Sequence, residues 1–439
     1  MAKQTSSYCI EIKHVNKIFY PTVTLFRNAV AFCIEAFEAE WLGIEPLASK
    51  YRVNYAERLI HTTKDNMVKY SDFDRLFYKM PAYMRRAVIS VALGALSSYH
   101  SNLDNWAASG RKGNKPTLQK DLARMPVFYR DSMYKGDGSD TVYLKLFNGS
   151  DWVWVKFSLK HTDMQYIRKH CDMEHMECPV LEKVHHKWFL RFAFEEEYHL
   201  SNKPYSDQTI LAVDLGINTD AVCSVMRSDG TVLARKFINF TGEKDLIYHT
   251  LAKIKKVSRK YGPHNTTRLW RYATLHNEEL GCKIAGAITD YADRMHCDVI
   301  VFEHLDTSGR KRGKSKQKLH MWRKNTIQRI VEHKAHRCGI RISRICAWNT
   351  SRLAYDGSGE VIRGRDAGFS NNKLCMFTNG KTYNCDLSAS YKIGARYFIR
   401  EIQKSVSARE WSLIQAKVPE CGKRTHCTYN TLLCINKAA

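Results

Sequence analysis

Asp214 closes the apolar run TILAVDLGIN, Glu303 closes CDVIVFEHL, and Asp386 opens the helical pattern of YNCDLSASYKIGARYFIREI. A carboxylate at the end of an apolar strand is costly unless it is solvated, paired or bound to a cation. In open sheets flanked by helices, the carboxyl ends of the strands are where sites form. Three converging carboxylates would repel one another, and a hard divalent cation such as Mg2+ resolves that repulsion. Two such ions can stabilise both the attacking and the leaving oxygen of a phosphodiester. A blander account exists for each acid. Asp214 is also a strand-end turn residue and Glu303 a surface acid. Asp386 is also a helix N-cap, because Leu387, Tyr391, Ala395, Phe398 and Ile402 follow it at the spacing of one helix face.

The elements that must position these acids read as an α/β layer fold. TILAVDLGIN is a short buried strand, and AVCSVMRSDGTVLARKFINF adds two strands about the Ser228-Asp229-Gly230 turn. A helical region runs from about Asp245 to Met295 and breaks near YGPHN. CDVIVFEHL is a second buried strand, KNTIQRIVEHKAHRCG a helix stopped at Gly339, and IRISRICAW a further strand. The first half differs. Residues from Pro21 to about Ser101 are mostly helical in pattern, whereas TVYLKLF, DWVWVKFSL and KWFLRFAFEEEY alternate apolar and polar residues. That half is expected to be a β-barrel or sheet, residues 1–205, with a helical insertion over about 21–101. The polar stretch SNKPYSDQ marks its end. The second unit is expected over 206–410, followed by a tail, 411–439.

The chain carries 69 Lys and Arg against 44 Asp and Glu, a formal charge of +25. Such a charge attracts polyanions, nucleic acid first and an anionic membrane surface second. Between Thr307 and Arg344 stand 13 Lys and Arg and one acid, Glu332. Arg310, Lys311, Arg312, Lys314, Lys316 and Lys318 follow directly on the strand of Glu303 and are candidates for holding phosphates. A second candidate contact is the loop with Trp106, Arg111, Lys112 and Lys115, since aromatics beside cations suit single-strand stacking. The longest apolar run, AVISVALGALSSY, is too short to span a bilayer. The N-terminus lacks the apolar core of a signal peptide. Fourteen scattered cysteines fit reduced thiols better than a disulfide framework.

ILAVDLGIN, VIVFEHL and YNCDLSASYKIGARY, in that order, resemble the three RuvC motifs of the TnpB family of transposon-encoded RNA-guided DNA nucleases. Compact type V CRISPR effectors descend from that family. LHMWRKNTIQRIVEHKAHRCGIRISRICAWNTSR is similar to the segment that joins the second and third motifs there. The likeness is specific over 209–402; before that it is one of plan, a wedge-like β-barrel with a helical recognition insertion. The resemblance implies an RNase H-like (RuvC) nuclease domain and two Mg2+ or Mn2+ ions held by Asp214, Glu303 and Asp386. It further implies a guide RNA, a double-stranded DNA target, one chain per guide, and a place in the prokaryotic cytosol near the nucleoid. The family's zinc finger is degenerate in this chain. SRLAYDGSGE has no cysteine, and Cys375 and Cys385 alone fall in 349–385, so no structural zinc is expected where four ligands are needed.

Three rival functions fit less well. A nuclease-inactive RNA-guided repressor or transposition accessory would not need three intact acids. A junction resolvase leaves the first half unexplained. A sugar-kinase-like ATPase, suggested by DLGINTD, needs a second Gly-rich phosphate loop, and VFEHLDTSG is a poor one.

Overall fold

The computed structural model describes residues 1–438 apart from 16, 64–67, 130, 137, 305–315 and 372. The chain divides into two compact units, Lys3–Glu196 and Glu197–Ala439, the second joined by Met1–Ala2.

The first unit opens with strand β1 (Ala2–Glu11). Five helices follow: α1 (Tyr20–Ala39), α2 (Trp41–Ile44), α3 (Ser49–Ile60), α4 (Asp72–Leu76) and α5 (Ala82–Ala108). Helix α1 carries Pro21 in its first turn, where a missing N–H costs nothing, and buries Phe26, Val30, Cys33 and Phe37 on one stripe. Strands β2 (Tyr134–Gly136), β3 (Thr141–Phe147) and β4 (Trp152–Ser158) pair antiparallel. After α6 (His161–His170), β5 (Val180–Val184) and β6 (Lys187–Tyr198) join β1 in the order β1-β6-β5. An isolated bridge at Ile12–Leu159 ties the end of β1 to the end of β4, and one at Val127–Val180 pins the segment before β2 to β5. One core, including Phe19, Phe26, Leu144 and Phe192, fills the unit.

The second unit is built on one five-stranded sheet. Strands β7 (Thr209–Leu215), β8 (Ala221–Arg227) and β9 (Val232–Ile238) form an antiparallel meander. The β8–β9 turn uses Gly230 at φ 91°, and the Asp229 carboxylate accepts the Thr231 N–H at 2.7 Å. Helices α7 (Thr241–Tyr261) and α8 (Thr267–Arg294) follow, separated at Gly262-Pro263. Strand β10 (Val299–His304) pairs parallel with β7. Helices α9 (Lys316–Met321) and α10 (Lys324–Arg337) lead through Gly339, at positive φ, to β11 (Arg341–Cys346), parallel to β10. The sheet order is β11-β10-β7-β8-β9.

Strand alternation makes three layers of this unit. Leu211, Val213, Ile300 and Phe302 share a core with residues of α8 and α10. Their neighbours Ile210, Ala212, Val299 and Val301 pack on the opposite side with α11 (Cys385–Ser405). Between β11 and α11 lies a small antiparallel sheet, β12 (Ile362–Arg363), β13 (Leu374–Met376) and β14 (Thr382–Asn384), with Ala354, Cys375, Phe377 and Cys385 as its core.

Two features differ from the sequence reading. Helix α11 opens at Cys385 with Asn384 as N-cap, so Asp386 is not the cap. Residues 411–439, set apart in sequence as a tail, contain most of α12 (Ala408–Lys417) and all of α13 (Tyr429–Ala438). Trp411, Ile414, Leu432 and Ile435 are buried in the same core as α11. Irregular spacing and three cysteines hid that amphipathic face in the sequence.

Candidate active site

Each acid reaches one end of the sheet through its own element. Asp214 follows Ala212 by two residues, so it shares the face that packs on α11. Glu303 follows Val301 by two and shares that face from the neighbouring strand. The β7–β10 register ends at Val213–Phe302, which makes the two acids neighbours one step beyond it. Asp386 is the second residue of α11, whose N-terminus comes to the same end. Gly216 lets the loop after β7 turn sharply, because a Cβ there would lie 2.5 Å from the Thr219 carbonyl oxygen. Thr219 in turn lies beside the Asp386 carboxyl and favours its ionised form.

All three acids have pKa values raised above the ordinary carboxylate range. For Asp214, 8 % exposed, the causes are burial first and then the charges of Glu303 and Asp386. Burial raises Glu303, 6 % exposed, against the opposing pull of Thr350, Arg396 and Lys392. Asp386 is half-buried and is also raised by burial, opposed by Thr219, Arg363 and Lys373. Glu303 Oε1 is buried with no hydrogen-bond partner.

Other buried acids of this unit are occupied structurally. Asp220 accepts the Phe240 N–H at 2.7 Å and pairs with Lys244 at 3.2 Å. Asp298 takes the Thr209 N–H at 3.0 Å, the Ser201 hydroxyl at 2.8 Å and Lys203 at 2.9 Å. Burial alone would raise Asp298, yet these partners hold it below the ordinary range. The contrast separates acids that tie the fold from acids that strain it.

Cations surround the cluster. Lys392, 1 % exposed on α11, donates to the Leu353 carbonyl. Burial, then Arg396 and Arg363, bring its pKa down to about 7. Arg396 spends its guanidinium on four backbone carbonyls, those of Cys427, Cys346, Trp348 and Thr425, at 2.7–3.0 Å. Sequence reading missed both. The signal was there: Ser388, Lys392 and Arg396 recur every four residues and so share one polar line along a helix whose first four turns are mostly apolar.

The donor set suits a hard divalent cation: three carboxyl groups whose anionic forms burial disfavours, one of them with an orphaned buried oxygen. Among the described residues no three His, Cys, Asp or Glu side chains are gathered tightly enough to hold one ion. The fit therefore lies in donor chemistry and shared position, not in a preformed cage.

Cys375 and Cys385 share the small core under the β12–β14 sheet, where the Cys375 thiol donates to the Tyr383 carbonyl at 3.5 Å, and Cys385 directly precedes Asp386. Among the other candidates, Trp106 lies at the end of α5 with the Arg111 guanidinium 5.8 Å from its ring centre, and its indole N–H donates to Gly113 O at 3.3 Å. Lys112 and Lys115 are exposed in the same loop. Arg310, Lys311, Arg312 and Lys314 lie outside the described residues. Lys316 and Lys318 fall in α9, and their side chains lie outside them too. No helix among the described residues is long and apolar enough to cross a membrane.

Residues 5–148 match the Aq_aa04 family. No curated protein matches the chain. Among solved structures the chain is similar to a Cas12f1–sgRNA–target DNA complex, at 14 % identity and TM-score 0.34, covering 89 % of this chain and 98 % of that one. It is also similar to Alicyclobacillus acidoterrestris C2c1 in complex with single-guide RNA, at 10 % identity and TM-score 0.43, over 86 % and 66 % of the two chains. A Cas12i–crRNA–dsDNA complex matches at 10 % identity and TM-score 0.39, over 90 % and 66 %.

Proposed function

We propose that this chain is an RNA-guided, divalent-metal-dependent DNA endonuclease. The observation that carries the reading is the meeting of Asp214, Glu303 and Asp386 at one end of the sheet, their charges opposed by burial. Supporting it is the strand order, an antiparallel meander extended by two parallel strands, with the third acid on a helix across one face. That is the plan of an RNase H-like (RuvC) domain, which we assign to the second unit. The Ile12–Leu159 bridge between the sheets of the first unit supports a wedge-like barrel carrying α1–α5 as its recognition insertion. The +25 charge supports guide RNA and target duplex DNA as partners.

In this reading Asp214, Glu303 and Asp386 would hold two Mg2+ or Mn2+ ions, which would supply charge stabilisation for hydrolysis of the phosphodiester. The chain's own residues prepare that site. Burial keeps bulk water from screening the acids. Lys392 favours the ionised forms of Asp214 and Glu303, and Arg363 those of Asp214 and Asp386. Thr219 orients Asp386. Arg396 fixes α11 to the loop after β11 and to the segment before α13, which sets the helix that carries the third acid. Sequence choice would come from guide pairing, with the protein recognising a short flanking motif and the heteroduplex shape.

The partner half of this proposal is tested by sequencing the RNA that purifies with the protein after a high-salt wash. A structured RNA of defined sequence is expected. A mixed population, as nonspecific phosphate binding gives, would count against a guide.

A further inference from the structure

A cleft beside the edge strand β11 shares only Arg396 with the site above. Arg344, Arg396, Arg400 and Arg424 line a cavity of about 120 Å3 there, with Cys346 and Cys427. Arg344 meets Glu332 at 2.7 Å and Arg400 meets Glu401 at 2.9 Å. Arg396 is spent on backbone carbonyls. Arg424 is exposed and has no hydrogen-bond or ion-pair partner among the described residues. Four guanidiniums against two carboxylates leave an excess of positive charge. Such a cleft suits a phosphate, whose oxygens guanidinium groups match in geometry.

Trp348 stands next to this cleft. It is 70 % exposed, the most exposed tryptophan among the described residues. A firm turn holds it out. The Thr350 hydroxyl and N–H both reach the Ala347 carbonyl, at 2.7 and 3.3 Å, and Asn349 takes φ 63°. The Trp348 carbonyl accepts from Arg396 at 2.7 Å, one hydrogen bond from the cavity wall. Two residues on, Thr350 lies beside the Glu303 carboxyl. An exposed indole on a fixed turn, set between a guanidinium cleft and an acid cluster, has the parts of a base-stacking platform on a strand path.

We propose that Trp348 stacks a base, and the Arg344, Arg400 and Arg424 cleft holds a neighbouring phosphate, of the single DNA strand that enters the acid cluster. The proposal rests on the nuclease reading for the identity of its ligand. Every base has a π-face, so the platform grips the strand without sequence preference and leaves sequence choice to the guide.

The test reads binding without cleavage. Full-length protein with its co-purified RNA is mixed, in chelator, with a single-stranded oligodeoxynucleotide carrying 5-iodouracil. It is then irradiated, and the crosslinked peptide is identified by mass spectrometry. A crosslink at Trp348 is expected. Trp348→Ala should weaken binding of single-stranded oligothymidylate about tenfold, with Trp348→Phe retaining most of it. Arg424→Gln should lower the slope of log affinity against log salt by about 0.7, one phosphate's worth for a single strand. Crosslinks that fall only elsewhere would overturn the proposal. So would oligonucleotide binding by Trp348→Ala equal to wild type, or a loss confined to duplex DNA or to RNA. A protein that crosslinks at Trp348 but never cuts would fail the nuclease reading alone. One that cuts without that crosslink would fail this proposal alone.

Discussion

The Asn384 side chain accepts the backbone N–H of Leu387 at 2.9 Å and closes the first turn of α11. The Asp386 carboxyl two residues on is thereby released from capping and faces Thr219 and the other acids. Asn384→Ala should cost about 1 kcal/mol of stability, and Asn384→Asp much less, since Asp caps as well as Asn. Chemical denaturation of the two variants measures the difference. Equal losses would mean that the cap does not stabilise the helix.

The acid cluster should be a stability burden in the absence of metal. A carboxyl whose folded pKa is raised destabilises the fold as pH rises past its ordinary range, because the unfolded chain ionises first. Asp214→Asn is therefore expected to melt a few degrees above wild type in chelator at pH 7. The gap should close as pH falls below about 4, where the wild-type carboxyl becomes protonated in both states. A variant that melts lower at pH 7 would show the acids to be structural.

Asp298 should behave with the opposite sign. Its partners hold its carboxyl below the ordinary range, so its stabilisation is present above the unfolded value and lost as pH falls through the folded one. Asp298→Asn keeps the shape and loses the ion pair with Lys203, at a cost of about 1–3 kcal/mol near neutral pH. Below about pH 4 wild type should converge on the variant. Thermal melts of both proteins across that range check it, and a constant gap would contradict it.

Gly394 lets α11 pack closely on β7 and β8. A Cβ there would lie 2.4 Å from Met226 Sδ and 3.3 Å from Ala212 Cβ. Alanine is the better helix former by about 1 kcal/mol, yet overpacking a closed core costs about 1–3 kcal/mol. Gly394→Ala is expected to destabilise, and to do so less in a Met226→Ala background, where the clash is relieved. Additive losses in a double-mutant cycle would refute the packing argument.

Much of this arrangement was legible because buried strands write themselves plainly. TILAVDL and VIVFEH have no other reading, and an acid ending each marks the sheet's carboxyl end. The Ser228-Asp229-Gly230 turn and the Gly262-Pro263 break are equally local signals. What stayed hidden is non-local. Cys375 and Cys385 are ten apart in sequence and meet only because β13 and β14 pair. Lys392 and Arg396 stand on a four-residue stripe visible in sequence, but only the burial of α11 nearly all round shows them to be interior. Trp348 reads as the end of a strand, and only the turn shows it held out in solvent.

The central claim is that the three acids act together as the ligands of a metal-dependent DNA nuclease. The direct measurement is cleavage of matched duplex DNA in Mg2+ by the protein loaded with its own RNA, for wild type and for Asp386→Asn. That substitution leaves the Asn384 cap in place and removes one anionic oxygen from the cluster. Wild type should cut. Asp386→Asn should bind the same target with similar affinity and cut slower by orders of magnitude. Asp214→Asn and Glu303→Gln should match it, and combining them should add little, because ligands of one site act as a unit. Cleavage by Asp386→Asn at close to the wild-type rate, or none by wild type under any divalent cation, would contradict the account.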